Sequence, residues 1–474
     1  MASDTEQAAA GWRDVANGRY GPALALVCMG VWLHAADSLL VATMLASLVA
    51  EVGGEELVGW MVTLYEIGTI LTGAAGGLLA IRYGVRVPMG GAALLFAAGC
   101  AISALAPTMW VVLFGRLLQG FGGGGLMALS FVAAGILFPA HLIPRVMAAV
   151  SALWGVSAFL GPLIGGLFVE YADWRSGFWF FAAQALALAA WIAFGPKTGT
   201  RRTSDAEASP VSIPRLTLLG IGVVLIAYGG VEVAPVRTTV LVLAGLLSIA
   251  AFLVLDGRSG EARLLPRRPF GLATPTGAAL TMIFSLSVAT VAIVAYGPLL
   301  IIMLHGLSAL ATGYIVACAS IGWTIAALIV AGYPERHDMT FIAAGMTVVT
   351  ASVAGFLYAI PNGPVWLIVA CATAEGAGFG MAWTFILRQT TRLAPAGDRE
   401  RIAGAIPTVQ RLGYATGAAY VGIVANAAGF AEAAEPAEVA DAAVAVFAAS
   451  LVFAAIGLAA TGRFVLLGSK GQAG

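Results

Sequence analysis

Five ionisable side chains interrupt long apolar stretches of this sequence. They are Asp37, Glu66, Arg116, Glu375 and Arg411. A carboxyl group in apolar surroundings is costly to ionise, so it binds or releases a proton according to the charges and water that reach it. An arginine beside such a group stabilises its ionised form. These residue types together predict reversible proton binding inside an apolar protein.

Asp37 and Arg116 are the first candidates for this chemistry. Asp37 lies near the middle of the apolar stretch LHAADSLLVATML, where an ionised carboxylate needs a cation or water. If Arg116 is close, it holds Asp37 ionised until a conformational change separates the two. Two interpretations stay open: Asp37 binds protons reversibly, or a permanent Asp37–Arg116 ion pair only fixes helix packing.

The other three groups leave their roles more open. Glu66 follows Tyr65 in an apolar stretch, and either binds a proton or a cation or faces a wet cavity passively. Glu375 lies among small residues in ATAEGAGFG, where helix backbones approach closely, so a structural role is an equal alternative. Arg411 is either buried or extends its charge to the membrane surface. Glu375 and Arg411 are therefore the possible polar sites of the second half.

A further set of polar and aromatic residues is predicted to line a cavity. His34 lies one helical turn before Asp37 and shares its face, as a packed hydrogen-bonded residue or as a proton relay. The aromatic members can equally pack or lie at the membrane interface. The predicted cavity residues are His34, Trp32, Tyr65, Gln119, Trp154 and Tyr296.

The elements that carry these residues are predicted to be membrane-spanning helices. Of 474 residues, 60% are hydrophobic and only 10% charged, and the mean hydropathy is +0.94; a soluble protein has about 25% charged residues. A crossing needs about 20 mostly apolar residues. The fold class is therefore an all-α polytopic membrane protein with fourteen spans: 22–50, 58–81, 87–106, 109–137, 144–169, 175–195, 214–233, 236–256, 273–303, 308–332, 340–360, 364–387, 402–428 and 441–467.

The distribution of basic residues predicts the orientation. Most Arg and Lys residues lie in the N-terminal tail, the even-numbered connections and the C-terminal tail, whereas the odd-numbered connections hold only Arg175 and Arg237 and are otherwise acidic. Cytoplasmic loops carry the excess of positive charge. Both termini are therefore predicted to be cytoplasmic, and no cleaved signal peptide is expected.

Two polar linkers, 196–214 and 256–272, divide the spans six, two and six. The predicted organisation is a cytoplasmic tail, 1–20; an N-terminal six-helix bundle, 21–195; linkers with two inserted helices, 196–272; a C-terminal six-helix bundle, 273–467; and a second cytoplasmic tail, 468–474.

Several function classes are excluded by the sequence. The 24 basic residues balance 24 acidic ones, which gives no basis for nucleic-acid binding. Single cysteines in apolar stretches predict neither disulfides nor a metal site. The run from Gly120 to Gly125 fits GxGxxG but lies in an apolar helix, so it predicts close helix packing rather than nucleotide binding. No enzyme and no cofactor is expected. The cysteines are Cys28, Cys100, Cys318 and Cys371.

Three further motifs can be read along the chain. GLLAIRYGVR joins the second and third spans and contains Gly77, Arg82, Gly84 and Arg86. RLLQGFGGG contains Arg116 in the fourth span. GVSAFLGPLIGG in the fifth span combines a helix-kinking proline with flanking glycines that let a neighbouring helix pack against the bend; its marked residues are Gly155, Gly161, Pro162, Gly165 and Gly166.

These segments resemble motifs A, B and C of the major facilitator superfamily, and the whole chain resembles its fourteen-spanner drug:proton antiporters. The resemblance implies a proton-coupled exporter of small hydrophobic or amphipathic compounds in a bacterial inner membrane, monomeric and driven by the proton gradient. It also implies that Arg116 takes part in proton coupling and that Asp37 belongs to the acidic first-span motif. It implies further that Pro162 and the glycines of GVSAFLGPLIGG form the antiporter motif, and that Gly77, Arg82, Gly84 and Arg86 form a cytoplasmic gate. With Glu66 added from its position in the sequence, the predicted proton-coupling residues are Asp37, Glu66 and Arg116.

The chain departs from the family pattern at two places. Ile81 occupies the aspartate position of motif A, and the first span has Leu39, Ala42 and Ala46 where the family has Thr, Asn and Pro. Two alternatives therefore stay open: a lipid or glycolipid exporter of the same fold, and a membrane scaffold or sensor that binds a ligand without moving it.

Overall fold

The computed structural model describes residues 12–15, 17–195, 213–330, 333–395 and 398–472. The predicted linker 196–214 and the two predicted tails lie largely or partly outside these residues. The described chain is built from α-helices joined by short turns. The helices are α1 Trp12–Val15, α2 Gly21–Val52, α3 Val58–Tyr83, α4 Arg86–Ala104, α5 Met109–Leu137, α6 Ile143–Tyr171, α7 Trp174–Phe194, α8 Ile213–Tyr228, α9 Pro235–Gly257, α10 Pro275–Ala295, α11 Gly297–His305, α12 Ala309–Val330, α13 Asp338–Asn362, α14 Val365–Arg392, α15 Arg399–Ala427 and α16 Pro436–Gln472.

Every span predicted from the sequence overlaps one of these helices, with one change. The predicted span 273–303 is two helices, α10 and α11, which meet at Tyr296. The following residues, Gly297 and Pro298, explain the break, because proline cannot donate the backbone hydrogen bond that would continue α10.

Twelve helices of the described residues are long and apolar enough to cross a membrane. The helix α8 has only 16 residues, and α15 is less apolar and carries Arg411 in its middle. The all-helical membrane architecture is confirmed, whereas fourteen crossings and the position of the termini stay predictions.

The glycine run of α5 sets the spacing of three helices. A Cβ atom built at Gly120 would lie 2.2 Å from the Tyr65 carbonyl oxygen of α3, and one at Gly122 would lie 2.4 Å from the Phe96 nitrogen of α4. Only glycine fits such approaches. The run therefore serves helix packing, and α5 lies directly against both α3 and α4.

The helices form two sets that meet along two seams. We call α2 to α7 the N-terminal half and α10 to α16 the C-terminal half, because each set packs mainly within itself. One seam joins α3 to α15, and the other joins α6 to α12. The short helix α1 packs on α6, whereas α8 and α9 pack on each other, and α8 lies against both α3 and α15. The inserted pair therefore covers the α3–α15 seam from outside.

The α3–α15 seam is tight at one end and open at the other. Thr63 donates to the Ala415 carbonyl oxygen at 3.3 Å, and a Cβ at Gly59 would lie 2.7 Å from the Ala418 carbonyl oxygen. Further along the same helix faces, Gly73 and Gly404 are exposed, and a Cβ built there would meet nothing within 4 Å. We call the Gly59 end of the halves the closed end and the Gly73 end the open end.

A buried ion pair holds the inserted helices to the linker that follows them. Asp256 at the end of α9 is 1% exposed and accepts from Arg215 of α8 at 2.7 Å. It also accepts from the backbone nitrogens of Leu264 at 2.9 Å and Leu265 at 2.9 Å. This carboxylate therefore fixes the α8–α9 pair and the following linker in one arrangement.

Removal of the Asp256 carboxylate is expected to destabilise the protein. Asp256→Ala leaves Arg215 buried without its partner, which costs about 3–5 kcal/mol when a buried pair is broken. The thermal unfolding of the detergent-solubilised protein should shift to clearly lower temperature. Glu335→Ala is the matched control, because Glu335 is 61% exposed in its ion pair with Arg392 and exposed pairs contribute about 0–1 kcal/mol. Equal shifts for the two variants would contradict this role of Asp256.

Candidate functional site

The first predicted pair, Asp37 and Arg116, is formed. Arg116 Nη1 of α5 lies 2.5 Å from Asp37 Oδ2 of α2, and the two side chains are 4% and 1% exposed. The other carboxylate oxygen, Oδ1, is buried and has no hydrogen-bond partner among the described residues. The structure thus pairs Asp37 on one side and leaves one oxygen unused on the other.

Arg116 is held in place by several neighbours besides Asp37. Its Nη1 donates to Gln119 Oε1 at 2.5 Å, and its Nε donates to the Met61 carbonyl oxygen at 3.4 Å. Its guanidinium carbon lies 4.3 Å from the centre of the Tyr65 ring. Gln119 in turn donates to Ser103 Oγ at 3.3 Å. Three helices, α3, α4 and α5, therefore position this cation at the side of α2.

The second predicted carboxyl group, Glu66, forms an ion pair that crosses the seam between the halves. Arg411 Nη1 of α15 lies 3.0 Å from Glu66 Oε1 and 2.9 Å from Glu66 Oε2 of α3. Gly73 and Gly404 lie seven positions from Glu66 and Arg411 on the same helix faces, where the seam is already open. Among the residues that the structure describes, the pair is therefore the last polar contact along the seam before the open end.

His34 joins the two ion pairs into one network. Arg411 Nη2 lies 2.8 Å from His34 Nε2, and Tyr65 Oη lies 2.9 Å from His34 Nδ1. Because Tyr65 also stacks beneath Arg116, the polar contacts run without a break from Asp37 through Arg116, Tyr65 and His34 to Arg411 and Glu66. The sequence predicts that His34 shares a helix face with Asp37. Its contact with Arg411 depends on how the tertiary fold places α2 and α15 and could not be predicted from the sequence.

The other predicted cavity residues are divided by the structure. Trp154 of α6 meets the His34 ring edge-on, at 6.1 Å between ring centres. Trp32 instead donates from Nε1 to Gln184 Oε1 of α7 at 2.9 Å. Tyr296 is fully buried at the end of α10, against Phe430 at 5.4 Å between ring centres. Trp32 and Tyr296 thus lie apart from the network.

Glu375 also stands apart. It is 6% exposed on α14, inside the C-terminal half, and its Oε2 has no hydrogen-bond partner among the described residues. Its neighbour Gly376 packs so closely on α12 that an added Cβ would lie 1.6 Å from the Ala319 carbonyl oxygen. The small residues around Glu375 therefore do bring two helix backbones together.

The glycines of the fifth predicted span lie in α6 and face two partners. A Cβ at Gly161 would lie 2.9 Å from Leu39 Cβ of α2, and one at Gly165 would lie 3.1 Å from the Leu40 carbonyl oxygen. A Cβ at Gly166 would lie 2.7 Å from Leu310 Cβ of α12. Pro162 lies inside the same helix, and Gly155 faces α12 more loosely, 3.8 Å from Thr324. This helix therefore contacts its own half and the opposite half through residues without side chains.

The residues predicted as a cytoplasmic gate lie at the junction of α3 and α4. Gly84 ends α3 with φ of +73°, a conformation that favours glycine. Arg86 donates to the carbonyl oxygens of Ile192 at 2.5 Å and Gly195 at 3.0 Å, and so caps the end of α7. Arg82 is exposed against the Tyr83 ring, Gly77 faces open space, and Ile81 lies in α3. Arg86 makes these hydrogen bonds within the N-terminal half.

The sequence predictions include no counterpart for several groups that make specific contacts among the described residues, and Asn426, Asp338 and Met127 are three of them. Asn426 of α15 donates to the carbonyl oxygens of Glu56 at 2.8 Å and Gly230 at 2.7 Å, and so joins both halves and the inserted pair at the closed end. Asp338 is 1% exposed and binds Arg388 and Gln389 of α14. Met127 Sδ lies 3.6 Å from Arg411 Nη2. In the sequence, Asn426 could have been noticed as an amide at the end of an apolar span, and Asp338 as a carboxylate at the start of a helix.

The Glu66–Arg411 contact predicts a measurable coupling between the halves. Glu66→Gln and Arg411→Gln each leave a largely buried charge without its partner, whereas the double variant removes both charges. The double variant should therefore lose less stability than the two single variants lose together. The difference, the coupling energy, should be roughly 0.5–3 kcal/mol. Glu232 and Arg237 form the control pair, with Glu232 84% exposed, and should show additive shifts. Additivity at Glu66 and Arg411 would contradict the contact.

Comparison with known proteins agrees with this architecture. The family model for the Major Facilitator Superfamily matches residues 27–418. The chain is 29% identical over 439 residues to a probable multidrug-efflux transporter of Mycobacterium tuberculosis, covering 90% of this chain and 92% of that protein. It is 25% identical over 304 residues to the multidrug efflux pump SdrM of Staphylococcus aureus, covering 62% and 65% of the two chains.

Solved structures show the same fold at low sequence identity. A peptide transporter of the POT type in complex with sulfate has a TM-score of 0.69 and 17% identity and covers 97% of both chains. The E. coli xylose transporter XylE in its inward open conformation has a TM-score of 0.58 and 17% identity and covers 90% of this chain and 94% of that one. The family model, which matches most of the chain, makes it a member of the Major Facilitator Superfamily, a family of transporters rather than enzymes.

Proposed function

We propose that the protein is a proton-driven exporter of small hydrophobic or amphipathic compounds. The observation that carries this proposal is the buried Asp37–Arg116 pair, set in a polar network that reaches the seam between the two halves. The names of the M. tuberculosis and S. aureus relatives support multidrug compounds as the substrate class. The proton gradient supplies the energy, and no cofactor is required.

The proposed membrane arrangement follows the sequence. The chain has fourteen spans, as in the fourteen-spanner drug:proton antiporters, and both termini lie in the cytoplasm. The protein is a monomer in a bacterial inner membrane. The two halves are the two moving bundles, and the inserted helices α8 and α9 complete the count. In this orientation the closed end faces outward and the open end faces the cytoplasm.

The proposed cycle uses Asp37 as the proton-binding group. In the outward-open state a proton binds Asp37, with Glu66 as the second site. Closure of the outer end then opens the cytoplasmic end, where the substrate enters and Arg116 takes the place of the proton beside Asp37. The unpartnered Oδ1 of Asp37 supports this step, because a proton on this oxygen weakens the bond to Arg116 and leaves no net charge on the carboxyl group.

The energy of such an exchange is adequate. One charge moving through the membrane potential contributes about 2.3 kcal/mol per 100 mV. One or two protons moving inward therefore suffice to drive a useful substrate gradient outward. The polar network provides a route for coupling, since Arg116 and Arg411 both contact the Tyr65–His34 pair and lie in opposite halves.

Transport in proteoliposomes with an imposed pH gradient tests the proposal. Ethidium, tetraphenylphosphonium and labelled phospholipids serve as probes, each added to wild-type protein and to Asp37→Asn. We expect gradient-driven accumulation of a drug-like probe in the wild type and only the rate of empty liposomes in Asp37→Asn, because asparagine cannot carry the proton. Asp441→Asn is the control, since Asp441 is exposed at the start of α16.

The outcomes separate the proposal from its alternatives. Movement of phospholipid alone, indifferent to pH and to Asp37, would replace drug export by lipid export. Binding of a probe without movement under any gradient would identify a sensor or scaffold. Equal transport by wild type and Asp37→Asn would leave an exporter whose protons bind elsewhere.

A further inference from the structure

The contacts of His34 define which of its ring nitrogens carries a hydrogen. A guanidinium group donates hydrogen bonds and cannot accept them. The contact of 2.8 Å between Arg411 Nη2 and His34 Nε2 therefore requires a lone pair on Nε2. The single hydrogen of the neutral ring then lies on Nδ1 and is donated to Tyr65 Oη at 2.9 Å. The Tyr65 hydroxyl hydrogen is left to point to the His34 carbonyl oxygen at 3.5 Å.

This arrangement excludes a proton from Nε2 while Arg411 is present. The ring cannot hold a hydrogen on Nε2 and also accept from the guanidinium at the same atom. His34 is 2% exposed, so the ring is shielded from solvent in this arrangement of the halves. In the present arrangement of the halves, His34 is therefore an occupied hydrogen-bond acceptor and not a proton carrier.

Arg411 belongs to the opposite half, which makes its contact with His34 dependent on the arrangement of the two halves. His34 and Glu66 lie on α2 and α3, whereas Arg411 lies on α15. Separation of α3 from α15 at the closed end breaks the contacts of Gly59 and Thr63 and carries Arg411 away from the N-terminal half. Glu66 and the His34 Nε2 lone pair then lose the single donor that they share.

We propose that His34 is a proton-binding residue that is filled only while Arg411 is withdrawn. As long as Glu66 has not itself taken up a proton, a proton on Nε2 creates an N–H and a positive charge beside it, and so replaces the guanidinium as the partner of this carboxylate. An unpaired charge in apolar surroundings is costly, so the separated state gains from the exchange. The inference rests on the proposed function for the direction in which the proton moves.

The proton balance of the cycle follows from the same contacts. The proton arrives from the outer solution when the closed end separates, and it forms the Nε2–H bond. When α15 returns, the Arg411 N–H takes back the Nε2 lone pair, the Nε2–H bond breaks, and the proton leaves through the open end beside Gly73 and Gly404. Each return of Arg411 therefore discharges one proton from His34.

The groups that face His34 define its electrostatic surroundings. Arg411 approaches from α15, Arg116 from α5, and Tyr65 and Glu66 from α3, while Asp37 follows one turn later on α2. From α6 the Trp154 ring meets His34 edge-on. Two of these groups are cations and two are carboxyls, and only Arg411 comes from the other half. Of the charged groups that face His34, Arg411 is therefore the one whose distance changes when α15 moves relative to the N-terminal half.

The experiment measures the separation of the closed end as a function of pH, without substrate. Spin labels are attached at Glu55→Cys and Ala428→Cys, at the outer ends of α3 and α15, in full-length protein whose native cysteines are replaced by alanine. Distance distributions between pH 8 and pH 5 give the ratio of separated to closed populations. The replaced cysteines are Cys28, Cys100, Cys318 and Cys371.

His34→Gln is the main variant, because its amide oxygen can accept from Arg411 and its amide nitrogen can donate to Tyr65, but it cannot bind a proton near neutral pH. In wild type, acid should favour the separated population. The slope of the logarithm of the population ratio against pH gives the number of protons taken up on separation. In His34→Gln this number should fall by about one. His305→Gln is the matched control, since His305 Nε2 contacts only the Ile360 carbonyl oxygen at 2.9 Å, and should keep the wild-type slope.

A second variant, Arg411→Gln, tests the proposal independently in case His34→Gln does not fold. Arg411→Gln removes the guanidinium in every state, so His34 can bind its proton in both arrangements of the halves and no longer distinguishes them. The slope should therefore fall in Arg411→Gln at least as far as in His34→Gln, and the double variant His34→Gln/Arg411→Gln should show no further fall relative to Arg411→Gln. An unchanged slope in His34→Gln, or a further fall in the double variant, would overturn the proposal.

Ethidium transport by the same variants separates this inference from the proposed function. Gradient-driven transport with a wild-type pH response in His34→Gln would leave proton-driven export intact and remove His34 from it. A His34-dependent change in the closed end without transport of ethidium, tetraphenylphosphonium or phospholipid would establish the proton site and contradict the export function.

Discussion

The arrangement of this molecule depends on one constraint: a charge inside the apolar bundle must have a partner. Arg116 lies within α5 and Arg411 near the middle of α15. Each faces a carboxylate, and their pairs lie on opposite sides of the Tyr65–His34 contact. Breaking a buried pair costs about 3–5 kcal/mol, so movement between the halves must exchange partners rather than leave charges alone. The network supplies such exchange partners, because His34 and Glu66 share Arg411 while Asp37 keeps one oxygen free.

The close approach of the helices is what brings these charges together. The glycines of α5 draw α3 and α4 inward, which places Tyr65 beneath the Arg116 guanidinium. The glycines of α6 let α2 and α12 approach from opposite sides, so the helix that carries His34 and Asp37 lies at the boundary of both halves. A side chain at these positions would push the helices apart by ångströms and separate the donors from their acceptors. Packing and electrostatics are therefore parts of one arrangement.

The sequence predicts much of this and fails in a consistent way. Apolar length predicts nearly every helix, and the exception, the break at Tyr296, follows from local chemistry at Gly297-Pro298 that a hydropathy pattern does not register. The five intramembrane ionisable residues are visible because each is rare in its surroundings, and the structure unites four of them: Asp37, Glu66, Arg116 and Arg411. Which partner each one meets depends on the packing of helices far apart in sequence. Arg411 lies 345 positions from Glu66, and no local pattern carries such information.

The position of the polar contacts explains how the two ends of the bundle differ. Arg86 lies in the motif that resembles the family's cytoplasmic gate. It caps α7, so its hydrogen bonds are made within its own half. The contacts that join the halves along the α3–α15 seam instead lie at the closed end and at mid-depth, through Asn426, Thr63 and the Glu66–Arg411 pair. Asn426 also binds Gly230 beyond α8, so separation of the closed end must disturb the inserted pair as well. The helices α8 and α9 thus belong to the same mechanical unit as the seam that they cover, and any movement that withdraws Arg411 from His34 must also release or carry α8.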